Sequence, residues 1–294
     1  MSTYKTPLRY PGGKQRIWPF ISEILTANNL EGGHYVEPYA GGAGVAFELL
    51  LRDRVSQIHL NDSCASVYAF WHSILNETER FCRKISRASL TIDEWRKQRE
   101  IFKNRDSENR FDLGFAMFYL NRCNRSGILT GGVIGGMAQS GEWKMDVRFP
   151  RNELITRIEA IAARRSAIKI SNQDAERYLV NWTPKLPQKT LVYCDPPFFH
   201  KAERLYPNYY GVDDHARIAK VIQMKVKLPW VVSYDSCAEI VAHYSRRRLF
   251  RYMLQYNAAK AYKGAEIFIL SDKICLPERS SVPAIHNALR NGVA

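Results

Sequence analysis

A chain of 294 residues, 46% of them hydrophobic, can build a large α/β domain or a core carrying an inserted smaller unit, which excludes wholesale disorder. No apolar run approaches the roughly 20 residues that cross a bilayer, and residues 1–7 lack the apolar core of a secretion signal, so a cytosolic protein is expected. The formal charge of +14, from 43 Lys and Arg against 29 Asp and Glu, suits a polyanionic partner, nucleic acid being the common one; the alternative is a merely soluble basic protein.

In chain order, Leu8-Arg9-Tyr10-Pro11-Gly12-Gly13-Lys14 is a turn-rich segment leading into a helix over residues 17–25. Residues 35–39 read as a short strand running into the turn Ala40-Gly41-Gly42-Ala43-Gly44, and residues 45–51 as an apolar helix. A second strand over residues 57–60 ends at Asn61-Asp62. Strand, glycine turn, helix, strand and acidic residue in that order make a nucleotide-binding βαβ unit. Gly41, Gly42 and Gly44 let the backbone come close to a ligand at a helix N-terminus. Asp62, 18 residues beyond Gly44, stands where a carboxylate accepts hydrogen bonds from a ribose diol. The plainer alternative is a helix-capping loop beside an exposed Asp.

Between residues 63 and 166 the pattern changes. Helical, charge-rich segments over 91–103 and 111–120 precede a glycine-rich stretch, 127–141, and then Trp143-Lys144-Met145-Asp146-Val147. Strands resume at 167–171, 190–194, 230–234, 249–255 and 266–270, with helices over 213–225 and 237–244. The expected architecture is α/β: a doubly wound, Rossmann-like sheet from residues 1–63 and 167–294, interrupted by a mainly helical insertion over 64–166. The six cysteines (Cys64, Cys82, Cys123, Cys194, Cys237 and Cys275) form no CxxC pair and no Cys/His cluster, so neither zinc nor a disulfide framework is expected.

The most informative segment is Val192-Tyr193-Cys194-Asp195-Pro196-Pro197-Phe198-Phe199. A β-branched, aromatic run reaches an acceptor-only carboxylate, two prolines that fix φ and lack an N–H, and two flat rings. That combination suits a site holding a planar group with an amino function. Asp and Pro both favour turns, so a simple strand-to-loop stop is the alternative.

Together with the glycine turn and Asp62, the corner resembles that of S-adenosylmethionine-dependent amino-methyltransferases. The resemblance is to the Dam-like DNA N6-adenine methyltransferases, in which a recognition domain is inserted between cofactor loop and catalytic motif. Six pieces in the family's order carry it: 8–14, 36–44, Leu60-Asn61-Asp62, Tyr119-Leu120-Asn121-Arg122, 192–198 and Val232-Ser233-Tyr234-Asp235.

The resemblance implies a Rossmann-like methyltransferase fold, the cofactor S-adenosylmethionine and double-stranded DNA as substrate. Tyr10 and Lys14 should lie against the methionine portion of the cofactor, Glu37 and the glycine loop (Gly41, Gly42, Gly44) at its amino acid end, and Asp62 at the ribose. Asp174 is expected either to face the adenine or simply to cap the helix that begins at Ala175. In the catalytic set Asp195, Pro196, Pro197 and Phe198, the Asp195 carboxylate and Pro196 carbonyl accept the two N–H bonds of a base flipped out of the duplex, and Phe198 stacks on it. The family usually has Tyr where this chain has Phe198. Cys194, on the buried strand and outside the Pro-Cys context of cytosine C5 enzymes, reads as core.

The insertion should find DNA through Asn121, Arg122, Asn124 and Arg125, amide and guanidinium donors suited to phosphates and base edges, with residues 131–143 as a groove-entering hairpin or loop. The alternative is that these arginines are solvated or internally paired; Trp143, Tyr119 and Phe118 read as core. Residues 204–210 suit a flap over the base, and Lys260 and Lys263, in 256–264, either a loop beside the target base or a solvated turn. The resemblance also implies a monomer; pairing with a restriction nuclease or defence system, a regulatory mark on DNA and a phage or mobile-element origin all stay open. Asp195 in place of Ser argues against an N4-cytosine enzyme. An RNA adenine methyltransferase and a non-catalytic, cofactor-binding regulator stay as alternatives.

Overall fold

The computed structural model describes residues 5–9, 14–199, 210–257 and 261–290. Its frame is a seven-stranded sheet of β1 (His34–Glu37), β2 (Gln57–Asn61), β3 (Ile168–Ser171), β4 (Thr190–Cys194), β5 (Trp230–Asp235), β6 (Arg248–Asn257) and β7 (Ala261–Leu270), in the order β3-β2-β1-β4-β5-β7-β6. The first five strands are parallel and β7 is antiparallel to β5 and β6. Parallel strands covered on both faces read as unbroken apolar runs, and β4 (Thr-Leu-Val-Tyr-Cys) is buried along its whole length.

Helices cover both faces. On one side lie α1 (Trp18–Ala27) and α2 (Gly44–Leu51), whose core continues into α3 (Ala65–Asn76), α4 (Thr78–Arg87), α5 (Ile92–Lys103), α6 (Arg110–Cys123) and α7 (Arg151–Ala162). On the other lie α8 (Ala175–Trp182), α9 (Val212–Lys225) and α10 (Ala238–His243). The chain ends its described part in α11 (Pro283–Arg290).

The five helices α3 to α7 all fall between β2 and β3. Their aromatic side chains form one body with the sheet's core: Phe70 stacks on Phe118 at 5.7 Å, and Phe70 meets Trp71, which packs on Phe47 of α2. Phe118 and Tyr119 are fully buried, as expected. Trp143 is not core: it is 61% exposed in a segment of tight turns, as Met137 is at 50%. Another expectation fails at the far edge, where β6 and β7 stay paired out to Asn257 and Ala261. Residues 256–257 and 261–264 are therefore strand rather than loop; Lys260 lies outside the described residues. Among the described residues no helix is long and apolar enough to cross a membrane.

The order β2-β1-β4-β5 has a consequence for function. From β1 the chain winds outward to β2 and β3, and from β4 it winds the other way to β5. The C-terminal ends of β1 and β4 thus flank the crevice where doubly wound sheets bind ligands.

Candidate active site

At the end of β1 the chain turns through residues 38–43 into α2. Gly41 takes φ +45° and Ala43 φ +46°, both left-handed. Asp62, at the end of β2, closes this turn: Oδ2 accepts the Gly41 N–H at 2.8 Å and Oδ1 the Cys64 N–H at 2.9 Å. Burial pushes its carboxyl up to about 6, against those two amides. Gly44 opens α2 with its Cα against Gln15; a Cβ there would stand 2.8 Å from the Gln15 Cβ. The Gly42 carbonyl accepts the Thr6 hydroxyl at 2.6 Å, which ties the N-terminal strap to the loop.

Glu37 ends β1 buried, and its Oε1 accepts the Tyr35 hydroxyl at 3.1 Å and the Ala46 N–H at 3.2 Å. Burial drives its carboxyl up to about 8, the two donors opposing. Asp174 is exposed and caps α8, its Oδ1 accepting the Arg177 N–H at 3.1 Å.

Across the crevice, Asp195 follows β4 with a quarter of its side chain exposed. Its Oδ1 accepts the Ser233 hydroxyl at 2.6 Å and faces the Lys14 ammonium at 3.3 Å. Lys14 is itself buried and donates to Glu266 Oε1 at 3.0 Å; the Tyr252 hydroxyl donates to Glu266 Oε2 at 2.5 Å. Burial raises the carboxyls of both Asp195 and Glu266, and Lys14 pulls each back. The cation between them is what lets two carboxylates stay close. Phe198 lies with its ring centroid 4.8 Å from the Lys14 Nζ and is 5% exposed, so its stacking surface is covered in this state. The next residue is anchored by its backbone, the Phe199 N–H donating to Asp235 Oδ1 at 2.9 Å. Cys194 is fully buried.

Three of the expected DNA contacts are corrected. Asn121, Arg122 and Asn124 are 0%, 6% and 0% exposed and hold the chain's own backbone. Asn121 accepts the Arg9 N–H at 2.8 Å and donates to the carbonyls of Arg9 at 2.9 Å and Gly127 at 3.0 Å. Arg122 donates to the Arg148 carbonyl at 2.5 Å and the Pro7 carbonyl at 3.4 Å, and burial lowers its guanidinium to about 9. Asn124 donates to the carbonyls of Ile128 and Leu129 and accepts the Trp95 indole N–H at 2.7 Å. Of this group Arg125 alone is exposed. Tyr10 and residues 204–209 lie outside the described residues; Tyr210 meets the Tyr39 hydroxyl at 3.0 Å.

Sequence reasoning missed Ser233, Glu266 and Tyr252 as neighbours of Asp195 and Lys14. Their signal is faint: polar residues buried inside otherwise apolar strands, brought together only by cross-strand register, as with Tyr252 opposite Glu266. Ser233 stands in the quoted motif Val232-Ser233-Tyr234-Asp235 with no role attached.

The parallel, doubly wound sheet with its antiparallel β7 has the architecture of the Rossmann-like methyltransferase fold, with a glycine turn closed by an acid at one side of the crevice and an Asp-Pro-Pro-Phe corner at the other. The chain matches the family model described as D12 class N6 adenine-specific DNA methyltransferase over residues 10–266. It belongs to that family. It is 28% identical over 108 residues to the Type II methyltransferase M.MjaIII of Methanocaldococcus jannaschii, a match spanning 35% of this chain and 37% of that protein. Among solved structures, the rRNA methyltransferase aviRa of Streptomyces viridochromogenes aligns over 90% of this chain and 87% of its own at 11% identity and a TM-score of 0.34. A conserved hypothetical protein of Streptococcus pyogenes aligns over 82% and 88% at 11% identity and 0.32. Scores that low support no argument.

Proposed function

We propose that the protein transfers a methyl group from S-adenosylmethionine to N6 of an adenine flipped out of duplex DNA at a specific sequence. The observation that carries this reading is the placement of Asp195 at the end of β4, across the switch-point crevice from Glu37 and the Asp62-closed glycine turn.

The residues present fit the cofactor. Glu37 is a buried carboxyl held, among the described residues, by the Tyr35 hydroxyl and Ala46 amide and by no cation, which suits the ammonium of the methionine end. Each Asp62 oxygen holds one amide and, having two lone pairs, keeps room for a ribose hydroxyl. When bound, S-adenosylmethionine supplies an electrophilic methyl on a sulfonium. Gly41 and Gly42 allow its close approach, while Gly44 makes room for Gln15. Asp174 caps α8 with Oδ1 and keeps Oδ2 for the adenine end.

An exocyclic amine is a weak nucleophile because its lone pair is delocalised into the ring. Asp195 and the Pro196 carbonyl accept its two N–H bonds and localise the pair on nitrogen as it attacks, with Pro197 stiffening the turn. Phe198 stacks on the base, and that requires its covered ring to be exposed as the base enters. Residues 64–166 act as the recognition unit within a catalytic frame of 1–63 and 167–294, with Arg125 and Lys260 on phosphates or bases. The enzyme works as a cytoplasmic monomer alongside a restriction nuclease, the Type II name of M.MjaIII supporting that pairing.

The test is transfer of a labelled methyl from S-adenosylmethionine to unmethylated duplex DNA, followed by sequencing of the modified bases. N6-methyladenine in one sequence context, abolished by Asp195→Ala, is expected. Cofactor and DNA binding without transfer would overturn it, and transfer to RNA alone would move the substrate.

A further inference from the structure

Asp195 alone does not explain why one particular oxygen of its carboxylate should meet the amine. A carboxylate on a single carbon turns broadly about its last torsion, and Lys14, a point charge, attracts either oxygen. The groups packed behind Asp195 remove that ambiguity.

Parallel pairing of β4 with β5 sets Cys194 beside Val232, so the next residues, Asp195 and Ser233, meet. Ser233 is fully buried and its hydroxyl lies 2.6 Å from Asp195 Oδ1. Behind it, the Tyr193 hydroxyl lies 2.7 Å from the Ser233 Oγ and is buried too. A serine hydroxyl has one hydrogen. Given to the carboxylate, it leaves Ser233 as acceptor from Tyr193, so the chain has a direction: Tyr193 to Ser233 to Asp195. Each bond polarises the next. Lys14 approaches the same Oδ1 at 3.3 Å, held there by Glu266. Among the described residues no donor engages Oδ2, and a quarter of the Asp195 side chain is open to the crevice.

We propose that Ser233, backed by Tyr193, is a positioning residue that pins Asp195 by Oδ1 and so presents Oδ2 to the N–H of the target amine. This rests on the reading of Asp195 as amine acceptor given above. Loss of the pin leaves cofactor and DNA binding in place but misaligns the acceptor, and misplacement on the ångström scale costs about 100-fold in rate.

Single-turnover methyl transfer, with enzyme in excess over unmethylated duplex DNA, tests it in the full-length protein. Ser233→Ala should slow transfer about 10- to 100-fold with cofactor and DNA dissociation constants within about twofold of the wild type. Ser233→Thr, which restores a hydroxyl, should recover most of the rate. Tyr193→Phe should give a smaller loss in the same direction, and it decides the matter if Ser233→Ala does not fold. A Ser233→Ala rate equal to the wild type overturns the proposal. So does a loss shared equally by rate, cofactor affinity and melting temperature, which marks a structural role. If the wild type itself transfers no methyl to adenine, it is the underlying function that fails.

Discussion

The Asp62 carboxylate reaches from the end of β2 to accept the Gly41 N–H at 2.8 Å, so the residue expected to grip a ribose is also the clasp of the loop beside it. On the proposed reading, cofactor affinity and loop geometry are coupled through one side chain. Asp62→Ala should weaken S-adenosylmethionine binding tenfold or more, the scale of a charge-assisted hydrogen bond (~1.5–3 kcal/mol). Asp62→Asn, which keeps one acceptor, should fall between. Titration calorimetry measures both, and equal affinities across the three proteins would refute the coupling.

The same residue has a pH signature in the unliganded protein. Its carboxyl sits at about 6 instead of its usual value near 3.8, so the folded chain holds this proton more tightly than the unfolded one. Its contribution to stability is then full below the unfolded pKa and is lost as pH rises through the folded one. The melting temperature of the wild type relative to Asp62→Asn should fall between about pH 4 and pH 7. A difference independent of pH would contradict it.

Glu37 makes a sharper case. With its carboxyl raised to about 8, it is mostly protonated at neutral pH before the cofactor arrives. An ammonium placed against it favours the ionised form, so binding should release up to about one proton at pH 7. The release should fade as pH passes through the raised value and should vanish in Glu37→Gln. Calorimetry in buffers of different ionisation enthalpy counts the protons directly.

Asn121 and Arg125, four positions apart, should separate cleanly. Asn121→Ala leaves the Arg9 amide and the Arg9 and Gly127 carbonyls without their partner and should cost about 2–4 kcal/mol of stability. It should not change the salt dependence of DNA binding per folded molecule. Arg125→Ala should leave the melting temperature unchanged and reduce the slope of log K against log salt by about 1 if it holds a phosphate. Thermal melts and binding at several salt concentrations check both.

Phe198→Leu keeps an apolar side chain under Lys14 but removes the π face. Stability should change by only about 1 kcal/mol. Base stacking worth about 1–3 kcal/mol should be lost. With 2-aminopurine, which lacks the N6 amine, at the target position the variant should show altered fluorescence, and with adenine there it should show slower transfer. Transfer at the wild-type rate would remove Phe198 from the base site.

Much of the frame was legible from residue order alone. The strand and glycine turn at 35–44, the strand ending at Asp62 and the buried run 190–194 before Asp195 are local patterns. Backbone propensity and burial on both faces leave few other conformations for them. The residues at the end of α6 and just beyond it read differently. Asn121, Arg122 and Asn124 look like nucleic-acid contacts in sequence, because amide and guanidinium donors serve a phosphate and a carbonyl equally well. The burial of Asn121 and Arg122 against the strap at residues 5–9, over a hundred positions earlier, and of Asn124 among Trp95, Ile128 and Leu129, decides which they hold. Trp143 erred the other way: a large ring usually goes inside, yet the turns around it leave it exposed.

The sequence by itself narrowed the class of chemistry, since an Asp-Pro-Pro-Phe corner and a glycine turn followed by an acid at the end of the next strand are short local patterns, resembling in their order those of an amino-methyltransferase. Only the tertiary structure decided how that chemistry is aimed. Ser233, Lys14, Glu266 and Tyr252 come from four separate stretches of chain, and no periodicity along the chain records that they meet around Asp195. Strand order and register do, because a sheet makes neighbours of residues that are remote in sequence and because buried polar groups must find partners wherever the fold has put them.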